Sequence, residues 1–424
     1  MCGVRFKLKC EWKECNLGKI CASISKTFNG KQKYVVLINT SDVLNGKILN
    51  NSLVENINLK GQFKKTFLKN DILYSEIRPA NRRFAYVDIP ETTNYIASTK
   101  LMVIRANEQY VRPKYLFFIL SSENLINYLQ SVAETRSGTF PQITFEGEVA
   151  NIRIKIPNLN TQDKIVKILS SLDDKIEQNN AINHNLQQLI RSIFDKWFIC
   201  SYKTTSKDII QTTLGSFPSD FKMQRLGELP IQVTDYVANG SFASLKENVK
   251  LFQERNYAYF IRNTDLKSGS FEVFVDKHSY DFLIKSRLFG GEIIISNVGD
   301  VGSVFLCPVL DAPMTLGNNI IMLKPQDDFL RFYLFIWFKY SIGQGLIQGI
   351  KSGSAQPKFN KTDFKNLPII LPPKELLMRF HSLVLPMFES IEKNNSENRK
   401  LNCLRNTLLP KLMSGELDVS EVEI

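Results

Sequence analysis

Two stretches of this chain carry the same hydrophobic rhythm. Alternating steps of four and three from Ile165 give Ile165, Leu169, Leu172, Ile176, Asn179, Asn183, Leu186, Ile190, Ile193 and Trp197. Apolar residues at that spacing form the seam of a long helix packed on another helix. A second seam runs Phe380, Val384, Met387, Ile391, Asn394, Asn398, Leu401, Arg405, Leu408 and Leu412. Both turn polar at the same two central positions, Asn179 and Asn183 in one, Asn394 and Asn398 in the other. A buried Asn costs stability but fixes register, because it must find a polar partner in the facing layer. The alternative is that these Asn residues face water at a frayed break between two shorter helices.

The matching seams belong to a longer internal repeat, the feature that most constrains architecture. Leu17-Gly18-Lys19-Ile20 is echoed by Leu226-Gly227-Glu228-Leu229, and Asp71-Ile72-Leu73-Tyr74-Ser75 by Glu292-Ile293-Ile294-Ile295-Ser296. From Ser137-Gly138, echoed by Ser352-Gly353, one register holds onward: Ile154, Ile156 and Pro157 return as Ile369, Leu371 and Pro372, and Ile176-Glu177 as Ile391-Glu392.

Chain geometry orients the two helices. About 40 helical residues span about 60 Å, whereas a domain of about 150 residues has a radius of gyration near 15 Å. An intervening domain does not easily return the chain that far, so antiparallel pairing is expected, giving a pseudo-symmetric dumbbell. Its pseudo-twofold axis would set Asn179 against Asn398 and Asn183 against Asn394.

The remaining segments read as mixed α/β domains at 1–156 and 216–371, each with short β-branched runs separated by turn residues. Helices are expected at 113–130 and 329–343. The spacer helices occupy 157–199 and 372–415, a polar linker 200–215, and a tail 416–424. The expected fold is therefore mixed α/β, with two globular domains separated by two long antiparallel coiled-coil helices.

Charge adds direction. The chain has 424 residues and a formal net charge of +12. Residues 1–156 hold 23 Lys+Arg against 13 Asp+Glu, and residues 216–371 hold 17 against 15. An excess gathered in one domain suits a polyanionic partner better than general solubility does. No apolar run is long enough to span a bilayer, and no secretory signal pattern opens the chain, so no membrane association and a cytoplasmic location are expected. Cys2, Cys10, Cys15 and Cys21 lie close together, but not at zinc-knuckle spacing, and no metal is expected.

Candidate nucleic-acid contacts fall in loops that differ between the halves. In the first, Arg78, Asn81, Arg82 and Arg83 offer guanidinium forks for guanine edges or phosphates. In the second, residues 297–303 are small and nearly uncharged, with Asn297, Asp300 and Ser303 suited to close approach. Arg262 and Asn263 join this set. After the long helix of each half come Thr135, Arg136, Ser137 and Thr139, and Lys351, Ser352, Ser354, Gln356 and Lys358, whose hydroxyls, amides and cations suit a DNA backbone. Capping and turn roles explain the Ser and Gly residues there equally well.

Sequence signatures of catalysis are missing: there is no Asn/Asp-Pro-Pro-Tyr/Phe loop, no nucleotide-binding Gly-x-x-x-x-Gly-Lys-Ser/Thr and no His-Glu-x-x-His. His184, His278 and His381 are scattered. Two other classes stay open on residues alone, a two-headed coiled-coil scaffold and a stand-alone DNA-modifying enzyme.

Across nearly its whole length the chain resembles the specificity subunits of type I restriction-modification enzymes. The resemblance is carried by Ser137-Gly138 and Ser352-Gly353, by Ile156-Pro157 and Leu371-Pro372-Pro373, by the helix entries Thr161-Gln162-Asp163-Lys164-Ile165 and Lys374-Glu375-Leu376, and by Leu409-Pro410-Lys411-Leu412-Met413-Ser414-Gly415. The usual Pro-Pro-x-x-Glu-Gln entry is blurred in both copies. The resemblance implies a non-catalytic subunit whose two domains each read half of a split double-stranded DNA target, with the helices setting the spacing. It also implies two adenine-N6 methyltransferase subunits and endonuclease/translocase subunits as partners. S-adenosylmethionine, ATP and magnesium would belong to those partners, with no cofactor in this chain.

Overall fold

The computed structural model describes residues 12–59, 61–136, 139–199, 208–353 and 355–422. It divides into two compact units, Met1–Asp174 with Leu401–Ile424, and Lys175–Lys400. Each unit contains one α/β domain and portions of two long helices, Leu159–Phe194 and Lys374–Ser414.

In the first unit, strands Cys21–Ser23, Leu101–Ala106, Ile72–Ser75 and Phe84–Tyr86 form an antiparallel sheet in that order. A second sheet is ordered Leu53–Glu55, Tyr34–Ile38, Tyr95–Ser98 and Phe63–Lys65, with its central pair parallel. Strand Lys13–Asn16 pairs with Arg153–Ile156 and closes the domain where the long helix begins. The second unit repeats the plan. Ile231–Asp235, Ile320–Pro325, Ile293–Ser296 and Val304–Leu306 form its antiparallel sheet. Ala258–Ile261 runs parallel to Met314–Leu316 in its other sheet, and Lys222–Arg225 closes on Pro368–Leu371.

The repeated Leu-Gly motif has a packing reason. Leu17 and Leu226 are fully buried, and their N–H groups donate to the Ile152 and Leu367 carbonyls at 3.0 and 2.9 Å. The next residue lies against backbone in both halves: a Cβ on Gly18 would come within 3.0 Å of the Ala150 Cβ, and one on Gly227 within 3.2 Å of the Lys365 carbonyl oxygen. Any larger side chain would push away the turn Val149–Asn151 or the end of helix Lys361–Lys365, each of which leads into its closing strand.

Three sequence expectations change. The helix expected at 113–130 is two, Pro113–Leu120 and Glu123–Arg136. Ser121 ends the first, and the Ser122 hydroxyl donates to the Ile119 carbonyl at 2.8 Å, taking up a terminal acceptor. The helix expected at 329–343 stops at Lys339 and a second runs Ser341–Gly349. The linker expected at 200–215 holds, in its described part, a hairpin of Ile209–Thr212 and Gly215–Pro218, and the Phe217 and Phe221 rings join the core. Those buried rings, rather than the polar average, decide the structure there.

The two long helices run antiparallel and unbroken. In the first unit Arg405 donates to Asp173 at 2.8 Å, while Ile165, Leu169 and Leu412 are buried in the domain core with Tyr115 and Leu116. In the second, Asn179 faces Asn398, and Ile190, Phe194 and Phe380 enter the core with Tyr333. The seam residues near each helix end thus serve as core residues of a domain, and burying each large apolar side chain contributes roughly 1.5–3 kcal/mol.

Candidate nucleic-acid interface

In the first domain the candidate residues gather around one turn. Strand Ile72–Ser75 ends in buried Ser75, whose hydroxyl donates to the Ile77 carbonyl at 3.2 Å and accepts the Ile77 N–H at 3.1 Å. The chain then reverses through Pro79–Asn81, with Arg78 and Arg82 in left-handed conformations at φ 45° and 52°. Such strain in non-glycine residues is retained where surroundings fix it. Here the Ala80 N–H donates to Gln130 Oε1 at 3.0 Å, the Arg78 N–H to the Pro141 carbonyl at 3.1 Å, and the Arg78 guanidinium to the Thr139 carbonyl at 3.4 Å.

The cations on this face are already engaged. Arg82 pairs with Glu123 and Arg136 with Glu148, while Arg83 donates to the Ser41 and Val43 carbonyls at 3.0 and 3.5 Å. Arg83 therefore ties the loop to the neighbouring turn. Arg82 and Arg136 remain about half exposed, at 40% and 53%, and can exchange a carboxylate for a phosphate. Asn81 is exposed, and the Thr135 hydroxyl donates to the Val132 carbonyl at 2.7 Å as a helix-end satisfier. Ser137 lies outside the described residues.

The second domain builds the matching turn from different chemistry. Buried Ser296 again hooks forward, its hydroxyl donating to the Val298 carbonyl at 3.5 Å. Residues 297–303 are joined to 351–358: Val298 bridges to Lys358, Gly299 N–H donates to the Pro357 carbonyl at 2.8 Å, and Ser352 and Lys358 exchange backbone hydrogen bonds at 2.8 and 2.9 Å. In the first domain Ile77 bridges to Gln142 in the same way. Lys351 and Lys358 are exposed, as is Gln356, while Ser354 lies outside the described residues.

Asp300 organises this loop, accepting from Lys267 Nζ at 2.6 Å, the Ser303 hydroxyl at 2.6 Å and Asn263 Nδ2 at 3.2 Å. Those donors, Lys267 first, hold its carboxyl down at about 2. Arg262 forks onto buried Asp265, whose hydrogen bonds raise the guanidinium pKa further. Its role is therefore to brace Asp265, whose carboxylate also accepts the Arg262 N–H at 2.9 Å where helix Asn263–Ser268 begins. Asn297 likewise faces inward, donating to the Phe359 carbonyl at 3.4 Å.

On the helices, Asn179 Nδ2 donates to Asn398 Oδ1 and to Glu397 Oε2, both at 2.9 Å. Asn394 donates to Asn183 at 2.9 Å, Asn183 to Asn395 at 2.9 Å, and Asn398 to Asn180 at 3.0 Å. Sequence reasoning missed Asn180, Asn395 and Glu397, although the Asn pair in each repeat was a visible signal. It also missed Glu123, Glu148 and Lys267, which hold the candidate side chains but stand far from them in sequence.

A family model described as the type I restriction modification DNA specificity domain matches residues 9–188 and 218–376, one stretch in each repeat. The chain belongs to that family. It is 31% identical to the HindI type I restriction enzyme specificity subunit of Haemophilus influenzae over 96% of this chain and the whole of that protein. It is 26% identical to the MjaIX specificity subunit of Methanocaldococcus jannaschii, over 73% of this chain and 70% of the relative. The fold also matches the solved type I restriction-modification S subunit from M. genitalium, with a TM-score of 0.56 and 15% identity over 97% of this chain and 98% of that one.

As a type I specificity subunit, this chain recognises DNA sequence and is not itself catalytic, and its family carries no catalytic cofactor. Among the described residues, no group of three or more His, Cys, Asp or Glu side chains is placed to hold a metal. Cys2 and Cys10 of the cysteine cluster lie outside the described residues. No described helix is long and apolar enough to cross a membrane.

Proposed function

We propose that this specificity subunit reads a bipartite double-stranded DNA target, one half-site per domain, and directs adenine-N6 methylation and restriction by partner subunits. The observation that supports this most is the combination of a repeated frame and unlike faces. The Ser75 and Ser296 hooks and the bridges Ile77 to Gln142 and Val298 to Lys358 match, whereas the turns they hold differ in charge and chemistry. A reader of one half-site has little use for two such faces.

In this reading, domain 1–156 engages its half-site through Arg78, Asn81, Arg82 and the segment around Arg136 and Thr139. Arg83 supports that loop. Domain 216–371 uses the 297–303 loop with Lys351, Ser352, Gln356 and Lys358, while Arg262 and Asn263 brace it. Segments 157–199 and 372–415 act as a ruler, since about 60 Å of helix corresponds to less than two turns of B-DNA. Two methyltransferase subunits bind this core and carry S-adenosylmethionine. Endonuclease/translocase subunits join it with ATP and magnesium, and the assembly works in the cytoplasm.

Methylome sequencing tests the reading in cells that supply the methyltransferase subunit. The intact chain should give one bipartite motif, its absence none, and exchange of 216–371 for the counterpart of another family member a motif altered in one half. A motif altered in both halves, or independent of the chain, would reject it.

A further inference from the structure

We infer that the second domain reads an A·T base pair with a cavity beside the 297–303 loop, Phe242 meeting the thymine methyl and the amides of Asn318 and Asn319 the adenine edge. This rests on the half-site reading above. It starts from a difference between the repeats. Between Cys21–Ser23 and Tyr34–Ile38 the first domain has only residues 24–33, whereas between Ile231–Asp235 and Ala258–Ile261 the second has residues 236–257. Insertions in repeated architectures collect on one face, often the binding face.

The inserted segment is firmly built. The Tyr236 ring stands edge-on to Phe260 at 5.6 Å, Asn239 donates to the Ser286 hydroxyl at 2.8 Å and accepts the Lys285 N–H at 2.9 Å, and Asp235 accepts from Lys361 Nζ at 2.9 Å. Ser241 caps the helix Phe242–Asn248, its hydroxyl accepting the Ser244 N–H at 3.2 Å, and Leu245 is buried beneath it. On this fixed support the Phe242 ring is 81% exposed. A lone exposed aromatic needs no explanation, but this one borders a cavity of about 420 Å³ lined also by Val237, Lys246, Val298, Asn318 and Asn319.

The cavity wall is continuous with the candidate reading loop, because the Asn297 N–H donates to the Asn319 carbonyl at 3.1 Å. Its chemistry selects the occupant. The Asp235 carboxylate is neutralised by Lys361, so no concentrated charge calls for an ionic small molecule. An apolar wall beside carboxamides is the complement of a major-groove A·T edge, where thymine shows a methyl group and adenine a donor next to an acceptor. Exposed Lys246 at the rim suits a neighbouring phosphate. The domain that carries this device is also the one with little net charge, 17 cationic against 15 anionic residues, and it has more need of shape and amide contacts.

The test uses the subunit assembled with its methyltransferase partners, methylating a random-sequence duplex library. The wild type should give a second half-site that specifies an A·T pair besides the one whose adenine is methylated. At that pair Phe242→Ala and Asn318→Ala should each lower discrimination about tenfold, with the first half-site and the melting temperature unchanged. In defined duplexes, replacing that thymine by uracil removes only the methyl group. It should slow the wild type several-fold and leave Phe242→Ala no slower than before. The proposal falls if the second half-site specifies no A·T pair besides the methylated one, if Phe242→Ala keeps every preference and the uracil penalty, or if it weakens all sequences equally. A wild type whose motif has no second half would reject the half-site reading itself, and this proposal with it.

Discussion

In the first domain the candidate face is made of guanidinium groups restrained by carboxylates, Arg82 by Glu123 and Arg136 by Glu148. In the second it is made of amides, hydroxyls and backbone, with a carboxylate, Asp300, restrained by Lys267. The strands, serine hooks and closing bridges beneath are nearly the same. The comparison teaches that the fold fixes where a turn is presented and leaves open what it carries. The frame can therefore be perturbed separately from the faces.

The largest effect is expected from breaking the frame's symmetry. Asn179 must face Asn398 while Ile165 and Leu169 share a core with Leu412. A heptad inserted after Leu172 alone makes these two demands incompatible, leaving buried amides unpaired at roughly 1–3 kcal/mol each or emptying the Leu412 site at roughly 2–5 kcal/mol. Heptads inserted at facing points, after Leu172 and after Leu404, satisfy both demands and lengthen the helices by about 10.5 Å. The single insertion should lower the urea midpoint sharply. The paired one should fold and add about three base pairs to the methylated spacer. An unchanged spacer in an active paired variant would end the ruler idea.

Next in size is a contrast between the faces. Arg78→Glu with Arg82→Glu should weaken DNA binding about 10–100-fold at moderate salt and flatten the logarithmic salt dependence by about two. Lys351→Glu with Lys358→Glu should do less, because the second domain has less charge to lose. Arg83 is left out of the comparison since it donates to the Ser41 and Val43 carbonyls, and its replacement would read as instability. Salt titrations of both double variants on one duplex measure the contrast, and equal slopes would erase it.

Much of this was legible because it is periodic. The seams, the Asn layers and the repeat are regularities of spacing, and spacing is what a sequence displays directly. The breaks at Ser121 and after Lys339 were not, since apolar faces continue through both and only local capping and packing stop the helix. The loops were locatable, as the segments where the halves diverge. Their internal partners were not, because Arg82 meets Glu123, and Arg136 meets Glu148, through tertiary folding. Phe242 was overlooked because an apolar residue at a helix start reads as core, and only its exposure sets it apart.

A smaller effect sharpens the comparison inside the frame. Equivalent positions at the start of the strand that leads into the turn hold buried Asp71 and Glu292. Arg105 forks onto Asp71 with both bonds at 2.7 Å, whereas Lys324 stands 4.0 Å from Glu292, which is held instead by the Phe289 and Gly290 N–H groups at 3.0 and 2.9 Å. Arg105→Ala leaves the buried Asp71 carboxylate with only the Leu68 N–H at 2.7 Å and should cost about 2 kcal/mol, less than a fully buried pair because Arg105 is partly exposed. Lys324→Ala should cost under about 0.5 kcal/mol. Hydrogen exchange read separately in each domain would show protection lost only in the first, and matching losses would mean the two acids are held alike.

The smallest expected effect concerns Asp300, the carboxylate at the centre of the second face. Its carboxyl is held at about 2, chiefly by the hydrogen bond from Lys267 and then by Ser303 and Asn263. A pKa lowered on folding means the charged form is favoured in the folded state. The stabilisation is complete above the ordinary carboxylate value near 4 and disappears as pH falls from about 4 to about 2. Both partners are about half exposed, at 44% and 50%, so solvent screening limits the contribution to under about 1 kcal/mol. Asp300→Asn keeps an acceptor for Ser303 and removes the charge that Lys267 meets. At pH 7 it should therefore lower the urea midpoint slightly, and at pH 2 the two proteins should unfold together. A gap that persists undiminished at pH 2 would mean that Asp300 organises the second face through its shape rather than its charge. The contrast with the ion-paired first face would then be one of hydrogen-bond geometry alone.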